Sequence, residues 1–483
     1  MPSGAAFVNA SNFKVERYIP SGRRTLRYLA SPVSGATVAD WANGMYITGN
    51  KASYPDNVTL NSTLSTVTDY NESLNGLSSQ KFTEVYGLGT ALVPGKGYRA
   101  FVRGGKDIDL NNPLVAPFAT ATTLSVKGTP NVGDITRNLT FTNHSKASDD
   151  GWNLLGNPYA SAIDWTLMMP DMVNVPNSFS IFDPRLGTNG AYYSYAGGVS
   201  TPLRTNPTII SSSQSFFVKM VLAGSITFKE SHKSSLAHTG NFRISEENLL
   251  RVTIFDTASF DEAVLQLSDV VSSGFDKEYD AYKMKNTGLN IYTQSSNGDN
   301  LAINRYPIQK QLNIPLGVSN NRIGDHKLKF TDNGSFADQK LYLQDTYLRK
   351  YMEISEGAEY PFTISADVNS TGTRFVITNV PSGLLTSTEE SQTNRLESMT
   401  LKVYPSPTNG RNVNLDLYNV GNGNVEVKIL DLTGRLVYSA THGVSGSMSH
   451  FSLELLSDLA NGVYVVNCQT SSGTLKTMFT ISK

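Results

Sequence analysis

The sequence predicts an all-β protein: consecutive β-sandwich or jelly-roll-like domains closed by a small seven-stranded C-terminal β-sandwich. Three observations carry this. Apolar residues alternate with polar ones at period two through run after run, as strands with one buried face require. Gly, Asn, Asp and Ser punctuate the runs at turn spacing, each supplying a backbone conformation or a local side-chain bond that turns need. Asn, Ser, Thr, Gly and Tyr are plentiful, a composition suited to exposed sheets and long turns rather than helical bundles.

The bulk properties exclude several function classes. At 483 residues the chain has room for about three domains. A net charge of −1 with sparse charged residues argues against nucleic acid as a partner, because a binder needs a basic stripe to neutralise phosphates. Cys468 is the single cysteine, so a disulfide framework and a cysteine zinc site are both excluded, and its place in an apolar strand suggests packing rather than nucleophilic chemistry. No apolar run approaches the roughly twenty residues of a membrane helix, so no transmembrane segment is expected. Residues 1–12 read as a tail. Met1-Pro2-Ser3-Gly4 opens it without the charged and apolar regions of a signal peptide, and the expectation is the C-terminal part of a longer precursor.

Residues 13–245 contain an internal echo. In one half, Pro32 precedes Trp41, then Tyr46-Ile47-Thr48-Gly49 and finally Pro94-Gly95-Lys96-Gly97-Tyr98-Arg99-Ala100-Phe101-Val102. In the other, Trp152-Asn153-Leu154-Leu155-Gly156-Asn157-Pro158-Tyr159 precedes Trp165, then Tyr192-Tyr193-Ser194-Tyr195 and Gln214-Ser215-Phe216-Phe217-Val218. Each half joins a Trp-bearing turn to an aromatic-rich strand, and a duplicated β-unit accounts for both. The aromatics admit two readings. Trp152, Trp165 and Tyr193, with Trp41, Tyr192 and Tyr195, form a platform on which a glycan stacks, since aromatic faces suit apolar pyranose surfaces; or they fill the cores of the sheets, as large aromatics on average do. The Trp152–Tyr159 run, Gln214–Val218 and the opening Arg27-Tyr28-Leu29-Ala30-Ser31-Pro32 resemble a non-catalytic region found just before type A sorting domains in large secreted proteins of Bacteroidota.

Residues 246–380 read as a further sandwich or jelly roll. Leu250, Val252 and Ile254 alternate with Arg251 and Thr253, and runs at Ala263–Leu267, Leu289–Tyr292, Leu301–Asn304, Ile314–Val318, Leu328–Phe330, Leu341–Gln344, Phe362–Ile364 and Phe375–Ile377 follow at regular spacing. Asp276, Asp280 and Asp345 raise the question of a carboxylate pair for glycoside hydrolysis or a calcium site. Either needs a separation or ligand count that spacing does not supply, and turn carboxylates bonded to nearby amides are the plainer reading. Residues 381–399 are rich in Ser, Thr and Glu and read as a solvated linker.

From residue 400 to the end, seven short strands are predicted: Leu401–Tyr404, Val413–Leu417, Val425–Ile429, Arg435–Ala440, Phe451–Leu455, Val463–Cys468 and Leu475–Ile481. Four ordered motifs lie in this stretch: Val403-Tyr404-Pro405-Ser406-Pro407-Thr408-Asn409-Gly410, Lys428–Arg435, Leu459–Val466, and a final strand carrying Lys476. Together they resemble the type A C-terminal sorting domain of the type IX secretion system. That resemblance implies an export address recognised at the outer membrane of Bacteroidota, a location at the cell surface or outside the cell, and a mature protein joined to surface lipopolysaccharide after sortase cleavage near the linker. Its partners would be the translocon, shuttle and sortase components. The recognised features map to Pro405, Gly410, Gly434, Gly462, Tyr464 and Lys476.

The sequence carries none of the common catalytic signatures: G-x-S-x-G, a phosphate-binding loop, a dinucleotide fingerprint and H-E-x-x-H are all missing, and the six histidines are scattered. The expectation is a protein without catalytic, cofactor or metal residues. Its β-domains serve display or adhesion and its tail serves export and attachment. The alternative is an accessory, glycan-binding region of an exported polysaccharide-degrading enzyme whose catalytic domain lies upstream.

Overall fold

In the computed structural model, period-two alternation is realised almost entirely as strands: 53% of the chain is strand and 7% helix, so the fold class is all-β. The structure describes residues 10–50, 54, 56–57, 64–106, 118–144, 149–236, 249–320, 322–332, 340–380, 400–409, 411–418, 420, 423–444, 448–455, 459–470 and 473–482. The tail up to residue 9 and the expected linker 381–399 lie outside the described residues. Two compact units divide the chain, Met1–Leu384 and Leu385–Lys483.

Within the first unit, two stretches repeat one strand order. Thr25–Leu29 pairs with Tyr98–Val102, which pairs with Val67–Tyr70, which pairs with Phe82–Glu84. Correspondingly, Trp152–Gly156 pairs with Ser215–Lys219, then Ser178–Asp183, then Ala191–Ala196, with Val199–Thr201 added at the edge. A second sheet accompanies each: Thr122–Pro130 lies between Phe13–Ile19 and Val33–Ser34, and Gly224–Phe228 lies between Ile135–Leu139 and Met172–Val173. Each half has one short Trp-bearing helix with an acidic cap. In Val38–Ala42 the Thr37 amide donates to Asp40 Oδ2 at 2.7 Å, and ahead of Trp165–Met168 the Thr166 amide donates to Asp164 Oδ1 at 3.0 Å. Both tryptophans then pack edge-on against the same strand position, Trp41 on Tyr98 at 5.9 Å and Trp165 on Phe216 at 6.1 Å between ring centres.

The halves are sewn together reciprocally. Leu29 bridges to Gln214 while Leu155 bridges to Lys96, and the next amides, Ala30 and Gly156, donate to the carbonyls of Ser213 at 3.1 Å and Gly95 at 3.0 Å. Both acceptor residues hold left-handed backbone, Gly95 at φ 77° and Ser213 at φ 57°, a conformation glycine takes freely and serine takes at a steric cost. Each half has its own apolar cluster. A third cluster, of Tyr28, Trp152, Leu154, Phe182, Phe217 and Met284, with Tyr70, Phe82 and Tyr192 packed against it, draws on both.

The remainder of the first unit, Leu249 to Thr378, is one eleven-stranded sheet folded over a single core. Every pairing in it is antiparallel except Phe260–Ser268 with Asn300–Pro307. The nine expected runs all fall on strands, Leu289 alone lying one residue ahead of its strand, and two strands were not foreseen, Ala281–Tyr282 and the sheet-edge strand Lys350–Ile354. Folding back brings Tyr360 and Phe362, near one end of the sheet, within 5.9 and 5.0 Å of Phe375, near the other. This sheet shares a small apolar cluster with the preceding half, Ala196 and Val199 packing with Leu249, Val264, Ala281 and Ile303.

The second unit is a two-sheet sandwich. Thr400–Tyr404, Asn412–Tyr418 and Met448–Glu454 form one sheet; Leu436–Val444, Gly423–Asp431, Gly462–Thr470 and Gly473–Ile481 form the other, in that order. Val413, Leu415, Leu417, Val425, Val427 and Ile429 are fully buried between them, as the alternation requires.

Candidate functional site

The sorting-signal residues fall into three structural groups. The first is the loop after Tyr404, where Pro405 is exposed. Its neighbour Ser406 accepts the Thr480 amide at 3.1 Å on Oγ, the Thr408 amide donates to the Thr480 carbonyl at 2.9 Å, and the Ser482 amide donates to the Thr408 carbonyl at 2.9 Å. Thr408 therefore lies beside Ile481 as a short parallel bridge, and the first motif is tied to the final strand. Sequence reasoning missed Ser406 and Thr408 as structural members of the signal; their lying within the Pro-Ser-Pro-Thr run was the available clue. Gly410 lies outside the described residues.

The second group is the Asp431–Arg435 turn. Asp431 Oδ1 accepts the Thr433 hydroxyl at 2.6 Å and the amides of Thr433 and Arg435, both at 3.0 Å. The Thr433 hydroxyl first, then those amides, hold the Asp431 carboxyl down at about 2. Gly434 closes the turn at φ 86°, where a side chain would be strained.

The third group sits on the last two strands. Gly462 opens one of them, and Tyr464 is buried with its hydroxyl donating to the Ala460 carbonyl at 2.8 Å and its ring 5.9 Å from Phe479. Lys476 pairs in register with Asn467 and is exposed, so its amine is presented to solvent while Phe479 and Ile481 on the same strand are buried. Cys468 is fully buried, and that burial pushes its thiol up to about 11, which suits a packed residue.

Of the two readings open for the first unit's aromatics, the glycan platform requires correction and core filling holds. Trp152, Trp165 and Tyr193 are 3%, 0% and 1% exposed, and Trp41 is 3% exposed. Their faces are occupied by other rings: Trp165 by Phe179 at 4.9 Å and Phe216, and Trp152 by Phe217 at 6.2 Å. Lys219 lies 5.4 Å from the Trp152 ring centre. A face already covered by protein cannot take a sugar, so these residues fill cores.

The three aspartates are each engaged by backbone or by an arginine. Asp276 Oδ1 accepts the Glu278 amide at 3.0 Å. Asp280, fully buried, accepts the amides of Asp276 and Arg305 at 2.7 Å each, and burial pushes its carboxyl up to about 7. Asp345, also fully buried, takes Arg374 through both oxygens and accepts the Tyr360 hydroxyl at 3.0 Å; burial alone would raise its carboxyl, but Arg374 and the neighbouring amides outweigh it and hold the group low. Among the described residues no three acidic, histidine or cysteine side chains gather as a metal site would require.

Comparison with known proteins fits this division. Residues 402–482 match the secretion system C-terminal sorting domain. The chain is thus a substrate of the type IX machinery, destined for the cell surface or exterior of a Bacteroidota. Among the described residues no helix is long and apolar enough to cross a membrane. The minor fimbrium subunit Mfa5 of Porphyromonas gingivalis is 28% identical over 280 residues, which are 52% of this chain and 22% of that protein. The chain therefore spans less than a quarter of that relative's length. Solved structures with loose likeness include dimeric latent PorU from Porphyromonas gingivalis, at 12% identity and a TM-score of 0.16 over 74% of this chain and 35% of that one. PorZ, a surface component of the type IX secretion system of the same organism, gives 11% identity and a TM-score of 0.14 over 74% and 61%. Over residues 5–378 the sequence matches the domain of unknown function DUF8693, and the chain belongs to that family.

Proposed function

We propose that the first unit is a non-catalytic module for display or adhesion at the bacterial surface, and that the sorting domain delivers it there and is then removed by sortase within residues 381–399, leaving the module joined to surface lipopolysaccharide. The observation that supports this reading most strongly is the sorting-domain match at residues 402–482, with the Pro-rich loop and the final strand joined at Thr408 and Ile481. The similarity to a fimbrium subunit adds to it. On this reading Lys476, Gly434 and the Pro405 loop are the exposed features met by translocon and shuttle, while Tyr464 holds the strand that carries Lys476 in place.

The test is a passenger experiment. Residues 381–483 are fused to a fluorescent protein bearing a signal peptide and expressed in a competent bacterium, with and without residues 475–483. Surface display of the full fusion, periplasmic retention of the truncated one, and a surface product cut between residues 381 and 401 by mass spectrometry are the expected results. Retention of the full fusion in a strain that exports its own substrates would overturn the proposal.

A further inference from the structure

Two clefts open where the halves of residues 13–234 meet, one beside each reciprocal bridge. Beside the Lys96–Leu155 bridge a cavity of about 330 Å³ holds Asp69, Glu72, Lys96 and Arg137, two acids against two bases, with Lys96 paired to Asp69. Beside the Leu29–Gln214 bridge a cavity of about 300 Å³ holds Arg17, Arg27, Arg185 and Arg204 against Asp183. The frames correspond: Arg17 and Arg137 occupy equivalent strands, and Arg27 stands two residues before its bridged leucine where Asn153 stands in the other half. One cleft is charge-balanced. The other has a surplus of three positive charges within a single cavity.

That surplus is unevenly used. Asp183 is gripped by Arg185 at 3.0 and 2.9 Å and by Arg204, which also lies over the Tyr193 ring at 4.5 Å. Arg17 donates to the Ser212 carbonyl at 2.6 Å and to Gln214 Oε1 at 3.1 Å. Arg27 has, among the described residues, a single long bond at 3.4 Å to the carbonyl of Leu26, its sequence neighbour, and no carboxylate within ion-pair reach. Burial draws its basicity down; the nearby Asp183 opposes this, and Arg17 and Arg185 add to it. A half-buried guanidinium facing two like charges is held at a cost unless something anionic joins it. Guanidinium forks suit carboxylates and tetrahedral oxyanions alike, gripping two oxygens through two parallel bonds.

The rest of the cleft indicates what carries the anion. Tyr28, Leu29, Ile181 and Phe182 form apolar walls, and Tyr18, 66% exposed, stands at the rim. A cavity of this size sits at the small end of the range for small-molecule sites. We propose that the cationic cleft binds an acidic saccharide, its carboxylate or sulfate ester anchored by Arg27 and Arg185 and its ring set against Tyr18. The proposal rests on the cleft alone and is independent of how the protein is exported.

Titration calorimetry on the purified full chain tests it, with glucuronate, glucose 6-sulfate and glucose as probes at low salt. Saturable binding of glucuronate or of the sulfate ester, weakening as salt rises, with no binding of glucose, is expected; which of the two binds tells carboxylate from ester. Arg27→Met should weaken that binding about tenfold or more. Arg137→Met, in the balanced cleft on the strand equivalent to that of Arg17, should leave it unchanged. Arg185 is 77% exposed in its side chain, so Arg185→Gln folds readily and serves as the second charge-removing variant should Arg27→Met not fold. Equal affinity for glucose, no saturable binding of either acidic sugar, or undiminished binding in both Arg27→Met and Arg185→Gln would overturn the proposal.

Discussion

The folded sheet of residues 249–378 and the sandwich of residues 400–481 close over their cores by different means. The first buries charge. Arg374 and Asp345 have side chains 1% and 0% exposed, Lys283 and Asp261 are 4% exposed each, and Arg251 and Glu262 are 5% and 12% exposed. The second keeps its strong pairs outside: Lys428 with Glu426 at 41% and 44%, and Arg435 with Asp431 at 75% and 19%, around a core of aliphatic and aromatic side chains. Arg374 shows what the buried charge does. It bonds Asp345 on a neighbouring strand, the carbonyl of Thr363 at 2.9 Å on the strand at the other end of the sheet, and that of Ser370 at 3.3 Å in the turn just before its own strand, while Tyr360 reaches the same carboxylate. A large sheet folding back on itself has many near-equivalent ways to close, and a fully bonded ion pair accepts only one of them. Seven strands in two short sheets face fewer alternatives, and volume-matched apolar packing suffices.

That contrast is most sharply broken at Arg374. Arg374→Met leaves Asp345 buried without its partner and should cost up to about 5 kcal/mol. Hydrogen exchange on peptides from Gly372–Thr378 reads this, and adding Asp345→Leu should restore most of the loss. A loss below about 1 kcal/mol would mean that the pair does not close the sheet. The next effect is set by pH. Asp280 stands at about 7 in the folded chain, against roughly 3.9 when unfolded. Because its folded value is raised, its contribution is fully present below pH ~4 and is lost as the pH climbs through 7, by up to about 4 kcal/mol. Asp280→Asn should flatten that slope in urea unfolding at stepped pH. Asp431 in the C-terminal sandwich has the opposite sign: its folded value is lowered to about 2, so its contribution is present above pH ~4 and is lost only as the pH falls toward 2. The smallest of the three effects tests the apolar sandwich. Leu415→Ala should cost about 3 kcal/mol by the same exchange measurement on Asn412–Tyr418, with exchange of Gly372–Thr378 unchanged.

Much of this architecture was legible because alternation is a local signal. Val413, Leu415 and Leu417 announce one buried face with no reference to any partner strand, and all seven strands of that sandwich were readable. Lys350–Ile354 escaped because an edge strand is only half covered, so its lysine, tyrosine and glutamate show little alternation. The aromatics left two readings open for a different reason. Sequence shows that Trp152 is large and flat but not that Phe217 and Lys219 lie against it. The arginine cleft was beyond reach altogether, since Arg17 and Arg204 are brought together only by the closing of one half against the other. Asp345 was noticed as a carboxylate, yet its partner Arg374 lies 29 residues away, on a strand that only sheet pairing brings alongside.

The reciprocal bridges also set a schedule. Gln214, which caps the edge at Leu29, is synthesised 185 residues later (214 − 29), an interval of roughly 10–40 s at about 5–20 residues per second. Until then the first half has strands whose designated neighbours do not yet exist, and an unpaired strand edge is a template for any other chain that reaches it. A fragment ending near residue 130 would carry that condition permanently. The smallest piece in which both edges are closed runs through Ser215–Lys219, so the halves are expected to be inherited, expressed and crystallised together.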